Sequence, residues 1–405
     1  MRIRSTGLTL FAGLSILVAA CSSTASTAPS KAPSTAPSTA PSTAPGSTAP
    51  SAAPSTAVQS DLKIGVVTDV GAVNDKNFNQ YSYAGAVNGA ISIGAKTPSV
   101  VVPKATSDYE PLIQAYVDQG FDVIVGVGFN LQNPIAKAAK ANKDIWFVGV
   151  DHDPCINAAG DVDTTFKDCT GVIATLLPNY IALNYAEDQA GYLAGIVAAS
   201  ASKSGIIGAV GGVAICGPCV RYIQGYFLGA QSVNPAIKVK TAWVSASDFV
   251  KGFFDQTGGA AFGAQFIKQN AGIDVVFQVA GNTGNGVIDA ACAANINAIG
   301  VDVDQYQSYA ASQACILTSA EKHLSVSVSN SIQQIAAKTA KGGKVFFNAA
   351  NDGIGLAQFY GAAAKLPADI QATVDKALAG MKDGTVITCP PAPACGKTPA
   401  PPIGN

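Results

Sequence analysis

The sequence predicts an α/β fold of two doubly wound lobes with a ligand cleft between them. Three observations carry this. Short β-branched runs alternate with longer amphipathic ones, the alternation is interrupted once by a long irregular stretch at 151–178, and polar residues gather just past the ends of the apolar runs. In chain order the strand runs are Leu62 to Val67, Ser99 to Val102, Val123 to Val127 and Trp146 to Val150. After the interruption come Gly205 to Val210, Lys238 to Val244, Val275 to Val279 and Ala298 to Val301. Each is four to eight residues long and rich in Val and Ile, which suits a strand buried on both faces. Between them, Asn79 to Ile93, Tyr109 to Gln119 and Gln132 to Ala141 read as helices in the first half. Gln189 to Ala199, Arg221 to Ser232, Gly259 to Asn270 and Gly286 to Ala294 do so in the second. Lobe 1 is therefore expected at about 60–178 plus a later segment, and lobe 2 at about 179–302 plus a later segment.

What precedes residue 60 does not belong to that fold. Arg2 and Arg4 stand before an apolar run from Leu8 to Ala20 that closes in Leu17-Val18-Ala19-Ala20-Cys21. The run is too short to span a bilayer comfortably, so 1–20 reads as a signal peptide. Its close resembles a bacterial lipobox, which makes Cys21 the lipidated residue; an ordinary secretory peptide with a coincidental cysteine is the alternative. The expected location is the cell membrane, lipid-anchored on the extracytoplasmic face. From 21 to 59 the chain is dominated by Ser, Thr, Ala and Pro, which cannot bury a core and should form a semi-rigid stalk. Beyond 387, prolines at 390, 391, 393 and 399 mark an irregular tail over 388–405.

The whole chain is 48% hydrophobic and 13% charged, with a formal net charge of −1. Lys and Arg are scattered, so no electrostatic footprint for nucleic acid or anionic lipid is expected. A monomer without cofactor is the simplest expectation. Of nine cysteines, setting Cys21 aside leaves eight in four local couples: 155 with 169, 216 with 219, 292 with 315, and 389 with 395. An oxidising compartment makes disulfides the default. For Cys216-Gly217-Pro218-Cys219, zinc and redox chemistry are rivals to a structural staple at a helix start. Only His152 and His323 are there to complete a zinc site.

The richest polar stretch, Asp69 to Asn79, reads as a strand end, a loop and a helix start, which is ligand-facing territory in an open α/β sheet. Asp69 is suited to accept hydrogen bonds and Phe78 to stack; alternatively Asp75 or Asn77 caps the helix and Phe78 packs in the core.

Residues 64–89, IGVVTDVGAVNDKNFNQYSYAGAVNG, resemble the opening of the basic membrane protein family, the purine nucleoside receptor type of ABC substrate-binding lipoprotein. Further blocks agree in order, among them VIVGVGFNLQNPI at 123–135, VRYIQGYFLGA at 220–230, VVFQVAGNTGNGV at 275–287 and ILTSAEKHL at 316–324. The resemblance implies the fold of a type I periplasmic binding protein, two lobes joined by more than one crossing with an interlobe cleft, together with a nucleoside ligand and an ABC permease as partner. It also implies site residues. Asp69 would meet the nucleobase, Phe78 would stack on it beside Asn79, and Tyr222 would supply an aromatic contact opposite. Asp302 would clamp ribose hydroxyls, Lys322 would donate to the ribose, and Gly281 would let backbone approach the sugar. The family's base-reading Asp is replaced here by Asn133, so the preferred base is expected to differ from the usual purines; a sugar or another small polar metabolite is the alternative ligand.

Enzymatic readings are weaker. Asp69, Asp151, Asp302 and Asp304 are candidates for a carboxylate pair of the kind glycoside hydrolysis needs. Strand-end carboxylates more often bind ligands or cap helices, however. No Gly-x-Ser-x-Gly elbow occurs, and Gly281 to Gly286 lacks the lysine and spacing of a phosphate loop, reading instead as a tight turn before a helix. The sequence therefore points to a binding protein without catalysis, with a surface sensor or adhesin on the same fold as the rival.

Overall fold

The computed structural model describes residues 59–405; the signal peptide, Cys21 and the stalk up to 58 lie outside the described residues. The first lobe starts β1 (Ile64–Val67), α1 (Phe78–Ser92), β2 (Ser99–Val101), α2 (Tyr109–Asp118), β3 (Val123–Val127), α3 (Gln132–Ala141) and β4 (Trp146–Val150). A one-turn helix α4 (Ile173–Leu176) leads to β5 (Tyr180–Tyr185), and α5 (Glu187–Ala201) crosses to the second lobe. There follow β6 (Ile206–Val213), α6 (Gly217–Val233), β7 (Lys238–Ser245), α7 (Phe249–Phe253) and α8 (Gln256–Gln269). β8 (Val275–Val279), α9 (Gly281–Ala293), β9 (Asn297–Asp302), α10 (Gln305–Ser308) and β10 (Ile316–Lys322) complete its main run. The chain returns through α11 (Leu324–Ala336) to β11 (Gly343–Phe347), crosses again to β12 (Ile354–Leu356), and ends its regular structure in α12 (Ile370–Lys382).

Two six-stranded sheets result, in the orders β11-β5-β4-β3-β1-β2 and β12-β10-β9-β8-β6-β7. All pairings are parallel except β12 on β10. The central strands Ile64–Val67, Val123–Val127 and Val275–Val279 are buried throughout, as sheets covered on both faces require. Chain crossings fall at α5, at α11 and between β11 and β12, so the lobes are joined by three connections, which is the two-lobed α/β architecture expected.

Three features depart from the sequence reading. The pattern does restart after residue 178, but its first strand, β5, still belongs to the first sheet, so the lobes change over after Tyr185 rather than at 178. The stretch Gly281 to Gly286 is not a turn ahead of a helix but the first turns of α9 itself. Four strands, β5, β10, β11 and β12, form in segments to which the sequence reading assigned none, and β11 and β12 supply the far edges of the two sheets. The four cysteine couples are all disulfide-bonded. None of the helices described is long and apolar enough to cross a membrane.

The crossing helices pack backbone to backbone. A Cβ on Gly191 would stand 2.1 Å from the Tyr222 carbonyl oxygen and one on Gly225 2.0 Å from that of Asp188, so only glycine allows α5 and α6 to approach so closely. That contact places Glu187, at the start of α5, against Arg221 in the second turn of α6, with Nε to Oε2 at 2.7 Å.

Candidate ligand-binding site

Between the lobes, at the carboxyl ends of the strands, lies a cleft enclosing about 600 Å³ of space that is continuous with open solvent. Its first-lobe wall grows from the end of β1. Asp69 is 7% exposed and accepts hydrogen bonds from the Tyr109 hydroxyl and, at 2.8 Å, from the Val70 N–H. Burial pushes its carboxyl up to about 6 against the pull of Tyr109. The β3 loop passes so close to it that a Cβ on Gly128, where φ is +102°, would meet Asp69 Oδ2 at 2.7 Å. His152 holds that loop: Nε2 is 3.0 Å from the Gly128 carbonyl and Nδ1 is 2.6 Å from the Tyr180 hydroxyl. Full burial drives its pKa down to about 3, so it is a neutral structural histidine at physiological pH.

The helix α1 starts here under the control of Asp75 rather than Asn77. The Asp75 carboxylate accepts from the N–H groups of Asn77, Asn79 and Gln80 at 2.9, 3.0 and 3.1 Å, capping the first turn from two residues upstream. Burial nevertheless raises its pKa to about 6. With the cap thus satisfied, Phe78 and Asn79 both line the cavity. Asn79 donates to the Ala72 carbonyl at 3.4 Å, while its Oδ1 is buried with no hydrogen-bond partner among the described residues.

The second-lobe wall centres on Lys322, at the end of β10. Its Nζ lies 2.7 Å from Asp151, 3.4 Å from Glu187 and 3.5 Å from Asp302, and 5.3, 5.4 and 5.6 Å above the rings of Phe78, Tyr185 and Tyr222. Burial alone would push the ammonium down, but Asp151, Asp302 and Glu187 together hold it well above the usual lysine value. The carboxyls of Asp302 and Asp151 are raised by burial in spite of Lys322. Burial also works against the Glu187 carboxylate, but Arg221 and Lys322 outweigh it and lower its pKa. The Tyr222 hydroxyl donates to Asp302 at 3.3 Å and to the Ala320 carbonyl at 3.4 Å. Gly281, at φ +52°, opens α9 beside the cavity.

Of the residues singled out from the sequence, seven line this one cavity: Asp69, Phe78, Asn79, Tyr222, Gly281, Asp302 and Lys322. Asn133 does not. It sits at the second position of α3, outside the lining, as does Asn130 in the 3-10 turn just before that helix, whose Nδ2 is buried without a hydrogen-bond partner among the described residues. Sequence reasoning also missed an aromatic seam. Phe129 and Phe249, from opposite lobes, have ring centroids 5.6 Å apart; Phe253 and Phe254 line the cavity; and the Phe254 ring covers Gly71 of the first lobe. The only available signal was the run Phe249-Val-Lys-Gly-Phe-Phe254, too polar in context to read as core. Two hydrogen bonds also tie the lobes together, from Asn285 Nδ2 to the Asp75 carbonyl at 3.1 Å and from Ser308 Oγ to that of Lys76 at 2.8 Å.

Chemically, the lining is rich in acceptors. Asp69, Asp75, Asp151 and Asp302 face the cavity against one lysine, and the Oδ1 atoms of Asn79 and Asp151 are buried without a hydrogen-bond partner among the described residues. Phe78, Phe129, Phe253, Phe254 and Val279 supply the apolar remainder. Such a site suits an uncharged ligand with a flat ring and several donors.

Two largely parallel sheets, three crossings and a cleft at the strand ends define a two-lobed solute-binding protein of the type I fold. Within that class, residues 62–382 match the family model described as ABC transporter substrate-binding protein PnrA-like, and the chain belongs to this family. It is 33% identical over 260 residues to the ABC transporter nucleoside-binding protein BmpA of Lactococcus lactis subsp. cremoris, an alignment covering 61% of this chain and 66% of that protein, just under two thirds of its length. It is 26% identical over 349 residues to the CD4+ T-cell-stimulating antigen of Listeria monocytogenes, covering 80% of this chain and 87% of that one. Among solved structures, an ABC transporter solute-binding protein from Aeropyrum pernix superposes with a TM-score of 0.67 at 22% identity, over 82% of this chain and 94% of its own, which supports the fold alone.

Proposed function

We propose that the cavity captures a nucleoside and that the chain, tethered through a lipidated Cys21 on the extracytoplasmic face, delivers it to the permease of an ABC importer without chemical turnover. The observation that carries the reading is the pairing of aromatic walls with buried acceptors from both lobes. A base stacks on Phe78 or the Phe253–Phe254 pair, worth about 1–3 kcal/mol per face. Asp302 and Asp151 accept from the ribose hydroxyls, each charge-assisted bond adding roughly 1.5–3 kcal/mol. Together these reach the ~8 kcal/mol of micromolar binding. Asp69 and the Asn79 Oδ1, both in the lining, accept from donors on the base edge. The 33% identical relative from Lactococcus lactis, a nucleoside-binding protein, supports the ligand class.

The test is calorimetric titration of residues 59–405 with nucleosides, free bases and simple sugars, repeated with Asp302→Asn. Asparagine tolerates the left-handed backbone at that position, φ +64°, and so changes the acceptor without straining the chain. Nucleoside binding that weakens roughly tenfold or more in the variant supports the assignment. Tight binding of a sugar with none of any nucleoside sinks it.

A further inference from the structure

One wall of the cavity is not built from the side chains discussed so far but from a covalent ring. Cys216, Pro218 and Cys219 line the cavity directly beside Tyr222. Cys216 is the N-cap residue of α6, its Sγ accepting from the Cys219 N–H at 3.1 Å, and the disulfide closes the turn on itself. A ring of this kind has almost no freedom of its own, so its position depends on what holds the β6–α6 connection from outside.

What holds it is the C-terminal segment. Residues 388–405 contain no regular element, yet they run against the second lobe from the crossing helices to the sheet edge. Thr388 bonds to Asp188 of α5. The loop closed by Cys389–Cys395 is gripped by Gln224, a side chain only 4% exposed, which donates to the Ala394 carbonyl at 2.8 Å and accepts from the Gly396 N–H at 2.8 Å. Gly396 lies over the first turn of α6: its carbonyl would be 3.6 Å from a Cβ on Gly217, and its own missing Cβ is filled by the Arg221 side chain. Ala400 donates to the Ala214 carbonyl at 2.7 Å, two residues before Cys216. Asn405 then pairs with both backbone groups of Val239 on the edge strand β7. The family match ends at 382, so residues 388–405 lie outside the matched segment while the residues they touch lie inside it.

We propose that residues 388–405 are a brace that fixes the Cys216–Cys219 turn as a wall of the ligand cavity, so that affinity in this chain is set partly by a segment outside the matched family region. Gln224 is the positioning residue through which the brace acts. Because Arg221 packs under Gly396 and binds Glu187, the same segment also steadies the carboxylate cluster around Lys322.

The experiment compares the intact chain with one ending at Ile387 and with Gln224→Ala in the full chain. Amide hydrogen exchange is read without ligand, and nucleoside affinity by calorimetry. Loss of two hydrogen bonds at Gln224 should raise exchange over 214–222 about tenfold and weaken nucleoside binding about tenfold, with exchange over 123–127 in the first lobe unchanged. The affinity arm rests on the nucleoside reading and the exchange arm does not. If the intact chain binds no nucleoside, that reading falls and exchange alone decides the brace. Unchanged exchange over 214–222 in both variants overturns the proposal, as does raised exchange with unaltered affinity. If the shortened chain does not fold, Gln224→Ala carries both readouts.

Discussion

The two lobes repeat one topology and fill it with different chemistry. In each, the fourth strand of the run ends in an aspartate with left-handed backbone, Asp151 at φ +62° and Asp302 at φ +64°. The fifth strands, β5 and β10, differ. Tyr185 pairs two residues beyond Leu183, the partner of Val150, and Lys322 two beyond Ala320, the partner of Val301, so the tyrosine and the lysine occupy equivalent places. They meet in the cleft, the lysine above the tyrosine ring, with both aspartates on its ammonium. The first strands diverge most: β1 leads into the polar loop of Asp69 and Asp75, β6 into the disulfide turn. One architecture thus yields a polar reading edge from the first lobe, a rigid wall from the second, and a shared charged centre.

The shared centre gives the largest expected effect. Lys322→Met leaves Asp151, Asp302 and Glu187 buried without their common cation, and removal of one member of a buried ion cluster costs about 3–5 kcal/mol. Urea denaturation of the unliganded variant should show a loss of that size; a loss below about 1 kcal/mol, an ordinary surface value, would mean that the lobes are not joined electrostatically here.

Next comes the polar edge of the first lobe. The Asp69 carboxyl titrates at about 6 in the folded protein against 3.8 for the free group, so between those values the folded state holds a proton that the unfolded state does not. Its stabilising contribution is complete below pH 3.8 and lost as pH rises through about 6. Relative to Asp69→Asn, the wild type should therefore lose roughly 3 kcal/mol of stability between pH 4 and 7. Comparing the two proteins cancels the opposite trend from His152, whose pKa, held near 3 rather than 6.5, makes the folded state less stable as pH falls below 6.5. Parallel stability profiles for the two would contradict the assignment of a desolvated Asp69. Because an ionised Asp69 is the acceptor, nucleoside affinity should also fall as pH drops below about 6.

Smaller still, and a direct test of the repeat, Asp151→Asn and Asp302→Asn should each weaken nucleoside binding by about 1.5–3 kcal/mol. A large effect from one with none from the other would show that the two strand ends, alike in backbone, are unlike in function. The smallest effect is expected at the aromatic seam. Phe129→Leu removes one ring of the pair that meets across the cleft and should cost about 0.5–1.5 kcal/mol of affinity by calorimetry, with the unliganded stability nearly unchanged. An unchanged affinity would mean that the seam takes no part in closure.

Much of this fold is legible in the sequence because buried parallel strands such as Val123–Val127 and Val275–Val279 advertise themselves as short apolar runs. The crossings are not. β10, Ile316–Lys322, ends in Glu and Lys because it feeds the site, and β11 begins with Gly-Lys, so neither resembles a core strand. In α11 the run Leu-Ser-Val-Ser-Val-Ser alternates with a period of two, a strand signal, yet it is helical. Burial against α1 decides it, with Ser327 and Ser331 bonding back to the carbonyls of Leu324 and Ser327 at 2.9 Å each. In the site, residues at strand ends were visible as polar breaks in apolar runs, but their partners were not. Glu187 and Asp151 act on Lys322 only once the lobes are joined, and Asn133 falls outside the lining because α3 already begins at Gln132, a boundary that composition does not mark.

The most direct test of nucleoside capture is a paired titration of residues 59–405 with one purine nucleoside and its 5′-monophosphate. The acceptor-rich cavity should bind the nucleoside at micromolar strength or better and the phosphate on the order of a hundredfold more weakly, since like charge in a desolvated site costs several kcal/mol. No binding of the nucleoside, or a monophosphate bound as tightly, would contradict the account.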